Sequence, residues 1–86
     1  MHESRLIADL VNRAEIEAAG RPEAITGLRL RLGALCGVPP EALRRGMGQH
    51  ALDRWGHVPA IVIDESVDPV APSARGVVLV SIKVEP

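Results

Sequence analysis

The sequence predicts an α+β domain in which two helices pack on one face of a three-stranded mixed sheet, in the order α-β-α-β-β. Three observations lead to this class. Apolar residues first recur with the period of a helix, then alternate with charged residues as in a strand, and later form two β-branched runs. The chain has 86 residues, enough for a single domain over residues 1–86. Two helices over such a sheet would bury every apolar stripe.

The composition narrows the function classes. Hydrophobic residues make up 47% of the chain, but there is one Trp and no Phe or Tyr, so the core must be aliphatic. A thin core of this kind favours association into a homodimer. Ten Lys and Arg against eleven Asp and Glu leave a net charge of −1, which argues against nucleic-acid binding and polybasic membrane binding. The start is charged and no apolar run reaches the roughly 20 residues of a membrane helix, so we expect a cytoplasmic protein.

The first helix is predicted over residues 3–19, because apolar residues recur there at intervals of three and four. Glu3 and Ser4 suit its start, since their side-chain oxygens can meet free backbone N–H groups. Gly20, followed by Pro22, suits its end. The helix is therefore expected to begin almost at the first residue of the sequence.

The alternation of Leu and Arg over residues 28–32 predicts a strand with one covered and one solvated face, within residues 25–33. A loop rich in Gly and Pro follows. Pro40 then suits the first turn of a second helix that runs to about Arg54. This helix should point its apolar side chains toward the core.

Gly46 and Gly48 lie inside the second helix. Each costs a helix about 0.5–1 kcal/mol relative to Ala. They indicate either a close approach of another backbone, which we favour slightly, or a weak helix.

Two further strands are predicted, over residues 58–64 and 77–84, joined by a turn-rich loop over residues 65–76. The first could be buried on both faces. In the second, Val78, Val80, Ile82 and Val84 share one face, which we expect to be the core face. The two strands are expected to form an antiparallel hairpin, after a β-α-β unit with a right-handed crossover. The predicted core comprises Leu6, Leu10, Val11, Leu30, Leu32, Leu43, Met47, Ile61, Ile63, Val80 and Ile82.

The sequence contains no pairing of a nucleophile with a base that points to an enzyme. Cys36 with His50 or His57 would be a thiol–imidazole pair. The favoured interpretation is that Cys36 is a small loop or core residue and that both histidines are solvated near a helix end. A single Cys also excludes an internal disulfide and a zinc site made only of cysteines.

The opening Met1-His2-Glu3 places an α-amine, two peptide nitrogens and an imidazole within reach of one metal ion. Square-planar coordination by nitrogen ligands suits Ni(II) or Cu(II) among the divalent metals. As a bare motif it is weak, because any chain with an early His carries it. A frayed terminus is the alternative interpretation.

Three segments, in the same order along the chain, resemble the HypA/HybF family of hydrogenase nickel metallochaperones. They are Met1-His2-Glu3 with a helix directly behind it, the loop GALCGVPPEAL (residues 33–43), and the final strand over residues 77–85. The family loop has the form GELSGVxPEAL. This resemblance implies that Ni(II) is bound by the N-terminal amine of Met1, by His2 and by the backbone of Glu3.

The same resemblance implies a nickel-delivery protein, and not an enzyme, that serves the maturation of a nickel-iron hydrogenase or a urease. A shallow terminal site would hold Ni(II) until a partner with better ligands takes it. The implied partners are the maturation GTPase HypB, docking near the N-terminal helix, and the large subunit of a nickel enzyme.

The chain departs from the family in two features. The aromatic-rich second helix typical of the family is replaced by residues 45–49, Arg-Gly-Met-Gly-Gln, and the zinc domain is missing. Family members carry a zinc domain with two CxxC pairs between the second and third strands, whereas residues 65–76 contain no Cys. We therefore expect no structural zinc, because tetrahedral structural sites need four ligands. This departure leaves a second function open, namely a metal-free structural or assembly module that has kept the HypA-like fold.

Overall fold

A computed structural model describes residues 3–86 and confirms the predicted class, an α+β fold with two helices and a three-stranded mixed sheet. The helices are α1 (Glu3–Glu17) and α2 (Pro40–Trp55), and a single 3-10 turn (Pro22–Ala24) precedes the sheet. The strands are β1 (Ile25–Leu32), β2 (Ala60–Glu65) and β3 (Val77–Val84). The bounds agree with the predicted ones to within two residues.

Both helices end through the left-handed region of backbone space, which the chain enters after α1 at Ala19 (φ 55°). After α1, Gly20 (φ 77°) donates its N–H to the Glu15 carbonyl at 3.1 Å. After α2, Gly56 (φ 78°) donates to the Leu52 carbonyl at 3.0 Å. A residue without a Cβ adopts this conformation at no steric cost, so Gly56 sets the end of α2. After α1 the same conformation begins at Ala19, one residue before Gly20.

The two helices lie side by side and run in the same direction. Ile7 of α1 packs so closely on Gly46 of α2 that a Cβ added at Gly46 would overlap Ile7 Cδ1. Further along, Glu15 accepts one hydrogen bond from Arg54 Nη2 and another from Trp55 Nε1, both at 2.7 Å. The start of α1 therefore meets the middle of α2, and the end of α1 meets the end of α2.

This packing corrects the interpretation of the two helix glycines. No backbone approaches either one closely. At Gly46 the close neighbour is the Ile7 side chain, and at Gly48 a Cβ would lie 3.5 Å from Val58 Cγ1, an ordinary contact. Close packing therefore accounts for Gly46 and leaves Gly48 without a packing reason.

Strand β1 is the centre of the sheet, and the order is β2-β1-β3. Strand β2 runs parallel to β1, as the predicted β-α-β unit requires, and β3 runs antiparallel to β1. The predicted hairpin between the last two strands is wrong, because β1 lies between them. The physical reason is burial. The four apolar side chains of β1 are the most deeply buried of any strand, so β1 takes the position with a neighbour on each side.

The segment 66–76 crosses over the end of β1 to reach the far edge of the sheet. Gly33 donates to the Gly76 carbonyl at 2.9 Å, and Leu35 donates to the Ala74 carbonyl at 2.7 Å. A Cβ at Gly33 would overlap the Ala74 carbonyl oxygen. Glycine at this position therefore lets two backbone segments approach closely.

Strand β3 contains an irregularity at Val80 that the sequence pattern does not reveal. Arg29 of β1 lies opposite Ser81, whereas Leu30 lies opposite Leu79, so Val80 has no partner. Such a bulge shifts the alternation of side chains by one residue. The predicted core face of β3 is therefore wrong, and Val80 is 41% exposed.

The rest of the core agrees largely with the prediction. Ile82 is partly buried against the core, whereas Val78 and Val84 are exposed, so only Ile82 of the predicted β3 face points inward. Burial of β2 on both faces is also wrong, because Val62 is exposed. The predicted core residues that are buried are Leu10, Val11, Leu30, Leu32, Leu43, Met47 and Ile61, and Leu6, Ile63 and Ile82 are partly buried against them.

These facings define two sides of the sheet. We call the side under the helices the inner face; β1 contributes Ile25, Leu28, Leu30 and Leu32 to it. The opposite side is the outer face, on which Arg29 and Arg31 are exposed as the alternation predicts. None of the helices within residues 3–86 is both long enough and apolar enough to cross a membrane.

Candidate functional site

The predicted nickel ligands are the first three residues of the sequence. Met1 and His2 lie outside the described residues, so Glu3 is the one predicted metal-binding residue that the structure places. Glu3 is the first residue of α1 and is exposed. Its carboxylate therefore lies at the surface and not in the core.

The first turn of a helix suits a nitrogen ligand set. The first four N–H groups of an α-helix have no acceptor within the helix. The peptide nitrogen of Glu3 can therefore coordinate a metal ion without the loss of a helical hydrogen bond. The positive end of the helix dipole opposes a nearby cation, and the Glu3 carboxylate in the first turn offsets this effect. An amine, an imidazole and peptide nitrogens together fit the coordination preference of Ni(II).

His57 is not the solvated helix-end residue that the sequence suggested. It is half-buried, with Nε2 2.8 Å from the Ile25 carbonyl and Nδ1 3.3 Å from the Trp55 carbonyl. The imidazole therefore joins the end of α2 to the start of β1. His50, on α2, is also half-buried.

The thiol–imidazole pair of Cys36 and His57 does not form. His57 is held at Ile25, where β1 begins, whereas Cys36 donates its backbone N–H to the Gly33 carbonyl just after β1 ends. A strand of this length spans about 23 Å, which separates the two side chains. Cys36 is partly buried against the core, in agreement with its interpretation as a small loop or core residue.

Within residues 3–86, no three His, Cys, Asp or Glu side chains approach one another closely enough to hold a metal ion. The predicted nickel donors include an amine and peptide nitrogens, which such a cluster would not contain. The expectation of no structural zinc continues to rest on the single Cys of the sequence.

Sequence reasoning missed two features of the described residues. One is Glu15, whose carboxylate accepts hydrogen bonds from both Arg54 and Trp55 and so connects the two helices. The other is a depression of about 350 Å³ on the outer face of the sheet, lined by all three strands. Neither has a local sequence signal, because each depends on residues far apart in the chain.

Comparison with known proteins gives no relative: no family model and no curated protein matches this chain. The likeness to the nickel metallochaperones therefore depends on the residues that carry it, chiefly Met1-His2-Glu3 and residues 33–43. In the second of these segments, Gly33 and Pro40 have clear structural roles, at a close backbone approach and at the start of α2.

Proposed function

We propose that the protein binds Ni(II) at its N-terminus through the Met1 amine, the His2 imidazole and the Glu3 backbone, and that it delivers this ion during the maturation of a nickel enzyme. The observation that carries the proposal is the sequence Met1-His2-Glu3 joined directly to a helix that begins at Glu3. The start of the helix adds backbone nitrogens without acceptors to the amine and the imidazole. Together they supply the donors that square-planar nickel prefers.

The proposed mechanism is transfer and not catalysis. A site at the exposed start of α1 leaves room for a second protein to approach the ion. The ligands exchange one by one as a partner with better ligands takes the nickel. The partners proposed from the family resemblance are the GTPase HypB, near α1, and the large subunit of a nickel-iron hydrogenase or a urease.

The test uses untagged protein with a free Met1 amine. Nickel titration should produce a d–d absorption band in the wild type. It should produce none in His2→Ala or in protein whose Met1 amine has been acetylated. Acetylation turns the amine into an amide and leaves His2 at its place in the sequence. His50→Ala is the matched control, since it removes an imidazole elsewhere and should leave the band intact.

The pH dependence of binding gives a second measurement. The amine and the imidazole must lose protons to coordinate, and their ordinary pKa values are about 7.7–8.0 and 6.5. Nickel affinity should therefore fall as the pH is lowered through this range. Unchanged binding by the Met1-acetylated protein would show that the amine is not a ligand. Unchanged binding by His2→Ala together with loss in His50→Ala would move the site to α2.

The alternative function is a metal-free assembly module with the same fold. Exposed large apolar side chains favour it, in particular Val67 and Val70, which are 91% and 86% exposed. Isolated exposed apolar residues are common, but two on one short turn indicate a contact surface. Absence of nickel binding by the untagged wild type would favour this function over delivery.

A further inference from the structure

The outer face of the sheet has no covering layer among residues 3–86. Its central depression lies over Gly27, where β1 has no side chain. A Cβ added at Gly27 would lie 3.4 Å from Lys83 Cβ and 3.6 Å from the Ala60 carbonyl oxygen. Residues of β3 and β2 therefore border the depression closely on its two sides. Val62 adds an apolar wall, and Arg29 lines the depression as well. The face therefore combines apolar surface with basic groups.

The charge on this face is positive. It carries Arg29, Arg31 and Lys83 against two carboxylates. Asp64 lies 3.6 Å from Arg29 Nε, and Glu85 follows Lys83 by two residues, just beyond the end of β3. In the described part of the chain, no carboxylate oxygen lies within 4.0 Å of the Arg31 or Lys83 nitrogens. An occupant of the depression should therefore be apolar and acidic.

Residues 65–70, which we call the acidic turn, have this character. Val67 and Val70 are almost fully exposed, Asp68 lies between them, and Glu65 precedes them. Asp68 Oδ1 accepts the Val70 N–H at 3.0 Å, which gives a compact turn with both valines outward. The acidic turn contains no Lys or Arg. Its surface is thus complementary to the outer face in charge and in apolar character.

The acidic turn and the depression are at opposite ends of the sheet. The turn begins where β2 ends, at Glu65, whereas the depression lies near the start of the parallel strands, at Gly27 and Ala60. A turn that leaves the far end of the sheet does not fill its own depression. Two copies that pack outer face to outer face with antiparallel strands would bring each turn to the end of the sheet at which the other copy has its depression. This arrangement is a closed twofold dimer, in which the contact between an acidic turn and a depression occurs twice.

We propose that the outer face is a homodimer interface in which the acidic turn of each copy occupies the depression of the other. Val67 and Val70 then cover the floor at Gly27, and Asp68 lies close to Lys83. Strands of eight, six and eight residues, at about 3.3 Å per residue and about 4.8 Å between strands, cover about 350 Å² per copy before the turn is added. Stable interfaces bury about 800 Å² per partner, so we expect a weak dimer that dissociates on dilution.

The experiment is sedimentation of the full untagged chain over a wide concentration range. Wild type should change from monomer to dimer as the concentration rises. The double variant Val67→Ser/Val70→Ser should weaken dimerisation by about tenfold or more, because two apolar side chains lose their cover. Both valines are nearly fully exposed, so the melting midpoint of the dilute monomer should not change. Arg45→Met, an exposed cation on α2, is the control that should dimerise like wild type.

The charge contact is tested by a double-mutant cycle on the dimerisation constant. Asp68→Asn keeps the oxygen that accepts the Val70 N–H and removes the charge, and Lys83→Met keeps the aliphatic stem. If these side chains meet across the interface, the double variant should dimerise no more weakly than the single variant that dimerises less. His2→Ala should dimerise normally, which separates this proposal from the nickel site.

Three results would overturn the homodimer. They are a wild type that stays monomeric at the highest concentration, a dimer that survives Val67→Ser/Val70→Ser unchanged, and a dimer that Arg45→Met weakens as much as the valine substitutions do. Additive effects of Asp68→Asn and Lys83→Met would show that this pair does not meet and would overturn the antiparallel register of the two copies.

Discussion

The inner and outer faces of the sheet are built from the same three strands, yet they differ in what covers them. Two helices bury the inner face, and its central residue Leu30 is completely inaccessible. On the outer face Arg29, the residue just before Leu30 in β1, is exposed beside Asp64. Side chains alternate along a strand, so neighbours in sequence serve different faces. We therefore expect the inner face to determine the stability of the monomer and the outer face to determine its association.

The largest effect should come from a truncation on the inner face. Leu30→Ala removes a fully buried side chain and should lower the free energy of unfolding by about 2–5 kcal/mol. Val80→Ala is the informative partner, because the sequence pattern predicts Val80 in the core and the structure places it outward. Its cost should stay below about 1 kcal/mol. Chemical denaturation of dilute monomer measures both values.

These two variants together test which side chains of β1 and β3 point into the core. A large loss from Val80→Ala would mean that β3 has no bulge and that its valines point inward. An unchanged midpoint for Leu30→Ala would mean that β1 is assigned to the wrong face.

Features that lie within one helix or strand could be predicted from the sequence, whereas features that depend on contacts between distant segments could not. The period of α1 and the Leu/Arg alternation over residues 28–32 each lie within one element, so their buried faces could be predicted. The facing of β3 could not be predicted, because the bulge at Val80 arises from pairing with a distant strand. The position of β3 beyond β1 depended on backbone contacts of Gly33 with residues 74–76, which also have no local signal.

The two candidate sites also differ in whether their residues are adjacent in the sequence. The proposed nickel donors Met1, His2 and Glu3 are adjacent in the sequence, so the resemblance could suggest them directly. The depression at Gly27 combines residues from three strands that are far apart in the sequence, and its complement, the acidic turn, lies in the segment between two of those strands. A surface assembled from distant segments requires the tertiary structure before it can be recognised.

The helical cover of the inner face offers a second comparison, between Gly46 and Gly48. Gly46→Ala should lower stability by about 1 kcal/mol, because overlap with the buried Ile7 side chain outweighs the gain in helix propensity. Gly48→Ala should raise stability by about 0.5–1 kcal/mol, since its Cβ makes only an ordinary contact with Val58. Thermal or chemical unfolding distinguishes the two signs.

Ile7→Val supplies the control for this comparison. It removes Cδ1, the atom that a Cβ at Gly46 would overlap. In that background Gly46→Ala should become neutral or stabilising, whereas the effect of Gly48→Ala should not change. If Gly46→Ala is equally destabilising in both backgrounds, the glycine is required for a reason other than its contact with Ile7.

The smallest effect is expected from the ion pair on the outer face. Arg29 and Asp64 are 3.6 Å apart with side chains 52% and 42% exposed, whereas Arg54 and Glu15, between the helices, are 2.7 Å apart with Glu15 24% exposed. A double-mutant cycle with Arg29→Met and Asp64→Asn should give a coupling of at most about 0.5 kcal/mol that vanishes in high salt. The cycle with Arg54→Met and Glu15→Gln should give about 1 kcal/mol and depend less on salt, because the contact is shorter and better shielded from water. Both cycles are measured on dilute monomer, so that association does not contribute. Equal coupling energies with equal salt dependence would mean that the cover over the inner face does not shield its ion pair, and the contrast between the faces would then be limited to their apolar side chains.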